Sequence, residues 1–458
     1  MVNSMLETIH IFHTNDVHSH FEYWPRMQGF IKKQRLEYAK LGEPSFLFDV
    51  GDHLDRSNIY TEATLGKGNV QLLNEAQYDV VTIGNNEGIT LSFEELYSLY
   101  DEANFEVVAA NIAPIKGDSP KWLKPYTILT TKYGTKIGVI GATALFNVFY
   151  NELNWQLTEP RKVLKQLAEQ LKNEVDIVVC LSHLGITEDE LLANECDAID
   201  VIFGSHTHHL FEVGKLVNHV LLTGCGKFGH YTGHLILQFD HKTKKIIKKE
   251  ENVIENALLP EIEGEGKFLE DISEKGKQLL QTPIFQNAKF YNKEWFHYSQ
   301  LSKLFSAAVL EFTAADCTMF NAGIFLDSLK KGTITNYDIH KILPHPINLC
   351  VIELTGRELK EVYLQAQNEE WPLLELKGLG FRGSIFGKML TYEFTVNSKR
   401  ELIVGQEIAN LDKTYQLATL DMFTFGYFFP NFKYAKKKYY LPMFLRDIFI
   451  DYGKKTFN

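Results

Sequence analysis

Cysteine is scarce in this chain, with five residues in 458 and none in a Cys-x-x-Cys spacing. That excludes a disulfide-stapled scaffold and a thiolate zinc site, and it points to a reducing compartment. Cys180 lies in the apolar run 177–181, where a thiol acts as a small hydrophobe. Long apolar runs are missing too. No window approaches the ~18 continuous apolar residues that a membrane helix needs. The opening MVNSMLETIHIF has no basic start and no long apolar segment, so no secretory leader is expected and the expected location is cytoplasmic. Positive charge is in deficit: 47 Lys and Arg stand against 58 Asp and Glu, a net charge of −11. That argues against a general nucleic-acid binder, which would carry a basic stripe. It leaves an anionic substrate open, because bound divalent cations reverse the local field. The lysine-rich stretches 242–249 and 433–438 read as a solvated hairpin and a surface loop. Internal repeats and low-complexity tracts are lacking as well.

What is present is ordinary globular chemistry, 45% hydrophobic and 23% charged. At roughly 100–200 residues per domain the length predicts two or three domains. Strand-like runs at 8–14, 46–50, 80–83, 107–109, 137–141, 177–181, 201–203 and 220–223 alternate with helical patterns. Ser92 and Glu95 form a capping box that opens a helix through Glu102. Pro160 starts another, with Val163, Leu164, Leu167 and Leu171 on one face. This alternation predicts a layered α/β domain over residues 1–255. Residues 256–283 read as a linker helix, its charged and nearly turn-free part being 261–281; an ordinary surface helix fits the same residues. Residues 284–458 read as a mixed α and β domain. There Leu301, Leu304, Phe305, Ala308, Val309 and Phe312 recur at helical spacing. Thr355 and Glu358 cap a helix to about Asn368, flanked by strands at 348–354 and 392–396.

Five short segments each follow a predicted strand, where open α/β sheets place their ligands. They are Asp16-Val-His18, Gly51-Asp52, Gly84-Asn85, His183, and Gly204-Ser-His206-Thr-His208. Singly, each has a bland reading as a turn, a helix cap or a hydrogen-bonded histidine. Together Asp16, His18, Asp52, Asn85, His183, His206 and His208 supply two carboxylates, one amide oxygen and four imidazoles. That set is too large for one tetrahedral ion and suits two ions that share a bridging carboxylate. Its chemistry favours manganese, zinc or iron over calcium.

The order of these segments, read here as HTNDVHSH, DVGDH, TIGNNE, LSHLG and FGSHTHH, resembles the calcineurin-like metallophosphoesterases. The opening segment resembles the 5′-nucleotidase branch, and NAGIFLDSL with KGTITNYDIHKILPHPINLCVIELTGRELK resembles that branch's C-terminal nucleotide-binding domain. The resemblance implies a layered αββα metallophosphoesterase domain followed by a smaller mixed α+β domain. It implies that Asp16, His18 and His208 hold one metal, that Asn85, His183 and His206 hold the other, and that Asp52 bridges. Asp49 falls outside the ligand set, while His20, His53 and Arg56 have readings both as phosphate-pocket residues and as structural ones. The implied partner is a small phosphorylated molecule, a nucleotide or a relative of one. Two cations about 3.5–4 Å apart lower the pKa of a shared water, and the hydroxide attacks phosphorus in line.

Two departures from the family pattern matter. Its third motif reads Gly-Asn-His-Glu-x-Asp, and the histidine and aspartate form a dyad beside the scissile bond. Here those positions hold Asn86 and Ile89. An amide cannot act as a proton donor at neutral pH, although its NH₂ still forms hydrogen bonds. Activated leaving groups are therefore expected to fare better than the 5′-hydroxyl of a nucleoside, unless His53 or His345 replaces the acid. In the second domain the Gly-Gly-x-Arg pattern reads Gly323-Ile324-Phe325-Leu326, without arginine. The base-stacking aromatics of the family leave His345 on one side and Tyr427, Phe428 or Phe429 on the other, and core packing explains these rings as well. The expectation is a metal-dependent phosphohydrolase. The alternative, which the paired loss at Asn86 and Ile89 keeps open, is a non-catalytic sensor that binds metal and a phosphorylated ligand.

Overall fold

The structure is a computed structural model that describes residues 6–376 and 378–457. It divides into two compact units, Met1–Lys275 and Gly276–Asn458. The division falls inside the helix Glu265–Leu279.

The first unit has four layers. One sheet runs in the order Lys245–Glu255, Tyr231–Asp240, Leu6–Thr14, Ser45–Asp49, Val80–Val81, Glu106–Val108, Leu123–Lys124. The other runs Lys215–Val217, Val220–Thr223, Val201–Gly204, Ile177–His183, Lys136–Thr143, Tyr126–Thr130. Ile9, Ile11, Phe48 and Leu235 of the first sheet share one buried cluster with Val139, Val179, Leu181 and Phe203 of the second, so the sheets pack face to face. Strand periodicity sends alternate residues to the opposite face. Thus His10 stacks on Tyr38 and Phe12 meets Phe30 edge-on, both in the helix Trp24–Leu41. Beyond the second sheet, Leu164, Ala168 and Leu171 of Pro160–Leu171 and Leu192 of Ile186–Glu195 close a second cluster.

Leu6–Thr14, Ser45–Asp49 and Val80–Val81 pair in parallel, as do Lys136–Thr143, Ile177–His183, Val201–Gly204 and Val220–Thr223. Parallel neighbours end on the same side, so the loops after them gather at one edge of each sheet.

All eight strand-like runs of this unit fall within or beside observed strands. The helix predicted from Ser92 to Glu102 is shorter, Phe93–Tyr97, because Ser98 turns its hydroxyl back to the Glu94 carbonyl where the helix ends. The stretch 242–249 is more than a solvated hairpin. It joins two long antiparallel strands, and Lys249 Nζ donates to the carbonyls of Asp200 and His219 at 2.7 Å each.

The second unit holds a five-stranded mixed sheet, Met389–Tyr392, Cys317–Asn321, Thr414–Leu420, Asn348–Thr355 and Lys437–Phe444. Helices Gln300–Thr313, Gly356–Ala366 and Leu445–Phe457 pack in the same unit. The strand expected at 392–396 breaks in two at Glu393, whose φ is +62°. All five cysteines are buried and unpaired. No helix of the described residues is long and apolar enough to cross a membrane.

Candidate metal centre

The five predicted loops meet. Donor atoms of Asp16, His18 and His208 lie within 4.8 Å of one another, and so do those of Asp16, Asp52 and His183. His18 Nε2 is 3.3 Å from His208 Nε2 and 3.8 Å from a carboxylate oxygen of both Asp16 and Asp52. His208 Nε2 is 3.4 Å from Asp16 Oδ1, and His183 Nε2 is 3.4 Å from Asp52 Oδ1 and 3.2 Å from Asn85 Oδ1. The His206 ring centre lies 5.2 Å from that of His183.

The backbone is bent to achieve this. Asp16, His18, Asp52, His206 and His208 all have positive φ, between 49° and 72°. Such a conformation costs a non-glycine residue about 1–3 kcal/mol, and it persists only where surrounding contacts impose it. Two glycines allow the loops to touch. Gly51 has φ +84° and packs against the Gly84 backbone, and a Cβ on Gly84 would lie 2.1 Å from Asp52 Oδ1. Glu87 then locks the junction, accepting the N–H of Asp52, Leu54 and Gly84 at 3.0, 3.1 and 2.8 Å.

Both carboxylates are cut off from water. Burial pushes the Asp16 carboxyl up, but its hydrogen bond with His208 and the charges of His183 and His18 outweigh that and hold it below the usual range. In Asp52 burial is likewise outweighed, chiefly by His183. Burial lowers His183 too, yet Asp52 and Asp16 bring it up to about 10. Burial and the neighbouring His183 lower His206 to about 4. The two buried carboxylates thus favour the protonated form of His183. A divalent cation supplies positive charge at the same place and frees the ring nitrogens to act as ligands, so the donor set fits the cations that the sequence implies.

Comparison with known proteins agrees with this geometry. Residues 9–210 match the calcineurin-like phosphoesterase family, and residues 280–432 match the 5′-nucleotidase C-terminal domain. The chain is 41% identical over 455 residues to the uncharacterized metallophosphoesterase YunD of Bacillus subtilis, covering 97% of this chain and 98% of that one. The chain belongs to the two-domain 5′-nucleotidase family of metallophosphoesterases. Members of this family are hydrolases acting on phosphoester bonds, and calcineurin-like phosphoesterases use divalent metals. The fold is shared with a 5′-nucleotidase precursor from Thermus thermophilus, at TM-score 0.62 and 22% identity, covering 98% of this chain and 97% of that one. It is shared also with the NAD nucleotidase of Haemophilus influenzae, at TM-score 0.67 and 17% identity, covering 99% and 97%.

Within this family member, Asn86 stands where the dyad histidine belongs. Its NH₂ donates to the Leu54 carbonyl at 3.0 Å and to His18 Nδ1 at 2.9 Å. Asn86 thus holds a ligand ring and carries no titratable proton.

Four other expectations need correcting. The Arg56 guanidinium bonds the Glu62 carboxylate at 2.8 and 3.3 Å and the Thr90 carbonyl at 2.7 Å, so it braces its own loop rather than lining a phosphate pocket. His345 is fully buried in the second unit, between the Ile324 carbonyl and the Arg382 N–H, both at 2.9 Å. Phe428 is buried against Phe386, ring centres 4.6 Å apart, and Phe429 is buried as well. None of these rings offers a face to a base. His53 does not supply the missing acid either: it packs against Phe21 and Trp24, and burial, aided by the nearby His18, lowers it to about 3. His20 is half-exposed and its ring lies tilted against Phe228, centres 4.0 Å apart, and Phe228 meets His18 edge-on.

Five further residues lie beyond the ligand set. Asn15 Nδ2 and Ser205 Oγ each donate to Asp16 Oδ2 at 2.7 Å. The ring of Phe146 contacts His206. His13 and Glu251 form a buried pair at 2.8 Å across the sheet. The signal for that pair was Gly233, where an added Cβ would lie 1.9 Å from the His13 ring.

Proposed function

We propose that this chain hydrolyses phosphoester or phosphoanhydride bonds of nucleotides or similar small molecules, using two divalent cations. Asp16, His18 and His208 hold one, Asn85, His183 and His206 hold the other, and Asp52 lies between them. The convergence of the Asp16, His18 and His208 donors with those of Asp16, Asp52 and His183 is the observation that supports this most. Imidazole, carboxylate and amide oxygen fit manganese, zinc or iron better than calcium. When bound, such a pair lowers the pKa of water and neutralises charge on phosphoryl oxygens.

The chain's own residues set the limits. Asp16 and Asp52 are fixed by backbone and side-chain donors, so each presents a defined oxygen. Asn86 holds His18 and protonates nothing. A leaving group therefore departs without the proton that the dyad would give, which is ordinarily worth about 10²–10⁴-fold. Phosphoanhydrides and acidic phenols depend least on that proton. Among the aromatics considered for a base, Tyr427 is 74% exposed and is the one proposed to stack on it. Five unpaired, buried thiols support a reducing, cytoplasmic setting.

The test compares AMP, ADP and a nitrophenyl phosphate with manganese added to the purified chain. ADP or the aryl ester should turn over faster than AMP, and AMP fastest of the three would overturn the leaving-group argument. The loss at Asn86 and Ile89 also favours a second reading, a sensor that binds metal and a phosphorylated ligand. Bound metal with no turnover of any of the three would establish that reading instead.

A further inference from the structure

Ser205 lies directly before His206, and it is 1% exposed. Its hydroxyl touches Asp16 Oδ2 at 2.7 Å and His183 Nδ1 at 3.0 Å. Under the two-cation reading these belong to different metals, so one hydroxyl contacts a ligand from each half of the centre.

Valence fixes the direction of this chain of bonds. An ionised carboxylate only accepts, and a serine has one proton, so that proton points at Asp16. The hydroxyl oxygen then faces His183 as an acceptor. The Val50 carbonyl, 2.8 Å from the same Nδ1, is an acceptor too. Both demand that Nδ1 carry hydrogen, which leaves Nε2 as the ligand atom. Nε2 is the nitrogen that faces Asp52 and Asn85. At the other end, Asp16 Oδ2 is sealed by Asn15, by Ser205 and by the His206 N–H at 3.1 Å. Oδ1, which the same N–H reaches at 3.3 Å, is the oxygen that faces His18 and His208.

We propose that Ser205 is a positioning residue that ties the two half-sites together, so that the first cation orients the ligands of the second and the pair binds cooperatively. The inference rests on the two-cation reading. Partners of this kind typically carry about 10–100-fold in metal affinity.

The test is a manganese titration of the full chain followed by calorimetry and electron paramagnetic resonance. At one equivalent of manganese the unaltered chain should already show the exchange-coupled signal of a pair. Ser205→Ala should show isolated ions at one equivalent, with affinity about 10–100-fold weaker, while its metal-free melting temperature stays near that of the parent. Ser205→Thr, which keeps the hydroxyl, should restore the coupled signal. Isolated ions in the unaltered chain at one equivalent, followed by two bound at saturation, would overturn the coupling and leave the dinuclear reading standing. So would Ser205→Ala behaving like the parent. Fewer than two ions at saturation in the unaltered chain would overturn both.

Discussion

The metal loops of the first unit and the aromatic segments of the second both look like sites in sequence, and in the structure they differ. In the first, donors from separate loops come together, with Asp16, His18, Asp52, His183 and His208 joined in two overlapping groups. In the second, His345 and Phe428 turned out to be interior packing. The contrast lies in redundancy. Seven polar residues at strand ends have no shared reason to exist as turns, so each strengthens the others. A single histidine or phenylalanine has an ordinary structural use, and nothing beside it in the sequence decides the matter.

The sharpest way to break this comparison is Asp52→Asn. Removing the carboxylate that faces both His18 and His183 should lower activity and bound metal by more than the roughly 10–100-fold that loss of an outer partner brings. Activity assay and metal analysis on the same preparation check it, and retention of both would place the centre elsewhere. Phe428→Ala should behave in the opposite sense. It should lower stability by about 3–5 kcal/mol, as truncation of a buried phenylalanine does, while KM for a nucleotide stays unchanged. A raised KM at parental stability would return Phe428 to the substrate.

Much of the first unit was legible because its strands are apolar on both faces and bounded by glycine and polar turns. The strand Ile177–His183 is buried throughout, and the histidine closing it gains its meaning from the other four segments rather than from its place alone. The rest was hidden for physical reasons. Strand Tyr231–Asp240 gains its place by pairing with Leu6–Thr14, a partner more than 200 residues away in sequence, and Lys245–Glu255 pairs in turn with Tyr231–Asp240. Ser205 and Asn15 act through hydrogen bonds that exist only once the loops have met, and small polar residues beside histidines carry no periodic signal. Arg56 misled because a lone arginine near a motif looks the same whether it meets phosphate or Glu62.

Titration offers a further separation of the two units. Burial lowers His13, but Glu251 raises it to about 10. A raised folded-state value means that this stabilisation is complete below the ordinary 6.5 and is lost as pH climbs through about 10. His345 is the reverse: burial lowers it to about 3, so its contribution is present above 6.5 and fades as pH falls toward 3. Melting curves across pH should then show an alkaline limb that Glu251→Gln flattens and an acid limb that His345→Gln flattens. Each substitution altering the other's limb would show that the assignments are wrong.

The smallest effect is expected at Tyr427, and it bears most directly on specificity. The ring is 74% exposed and meets only the edge of Phe428, with centres 5.0 Å apart. Deleting it leaves no cavity, so Tyr427→Ala should keep stability within about 0.5 kcal/mol. A base stacked on an aromatic ring typically contributes about 1–3 kcal/mol. If Tyr427 receives the base, KM for a nucleoside diphosphate should rise roughly 5–150-fold by the same measure, while inorganic pyrophosphate, which has no base, should be processed as before. Tyr427→Phe should retain the parental KM, because the ring and not the hydroxyl makes the contact. An equal loss on both substrates would mean that the substitution acts through the phosphate end. An unchanged KM on both would leave the second unit with no aromatic base contact among those the sequence nominated, and the activity would then have to be sought among phosphoesters without a base.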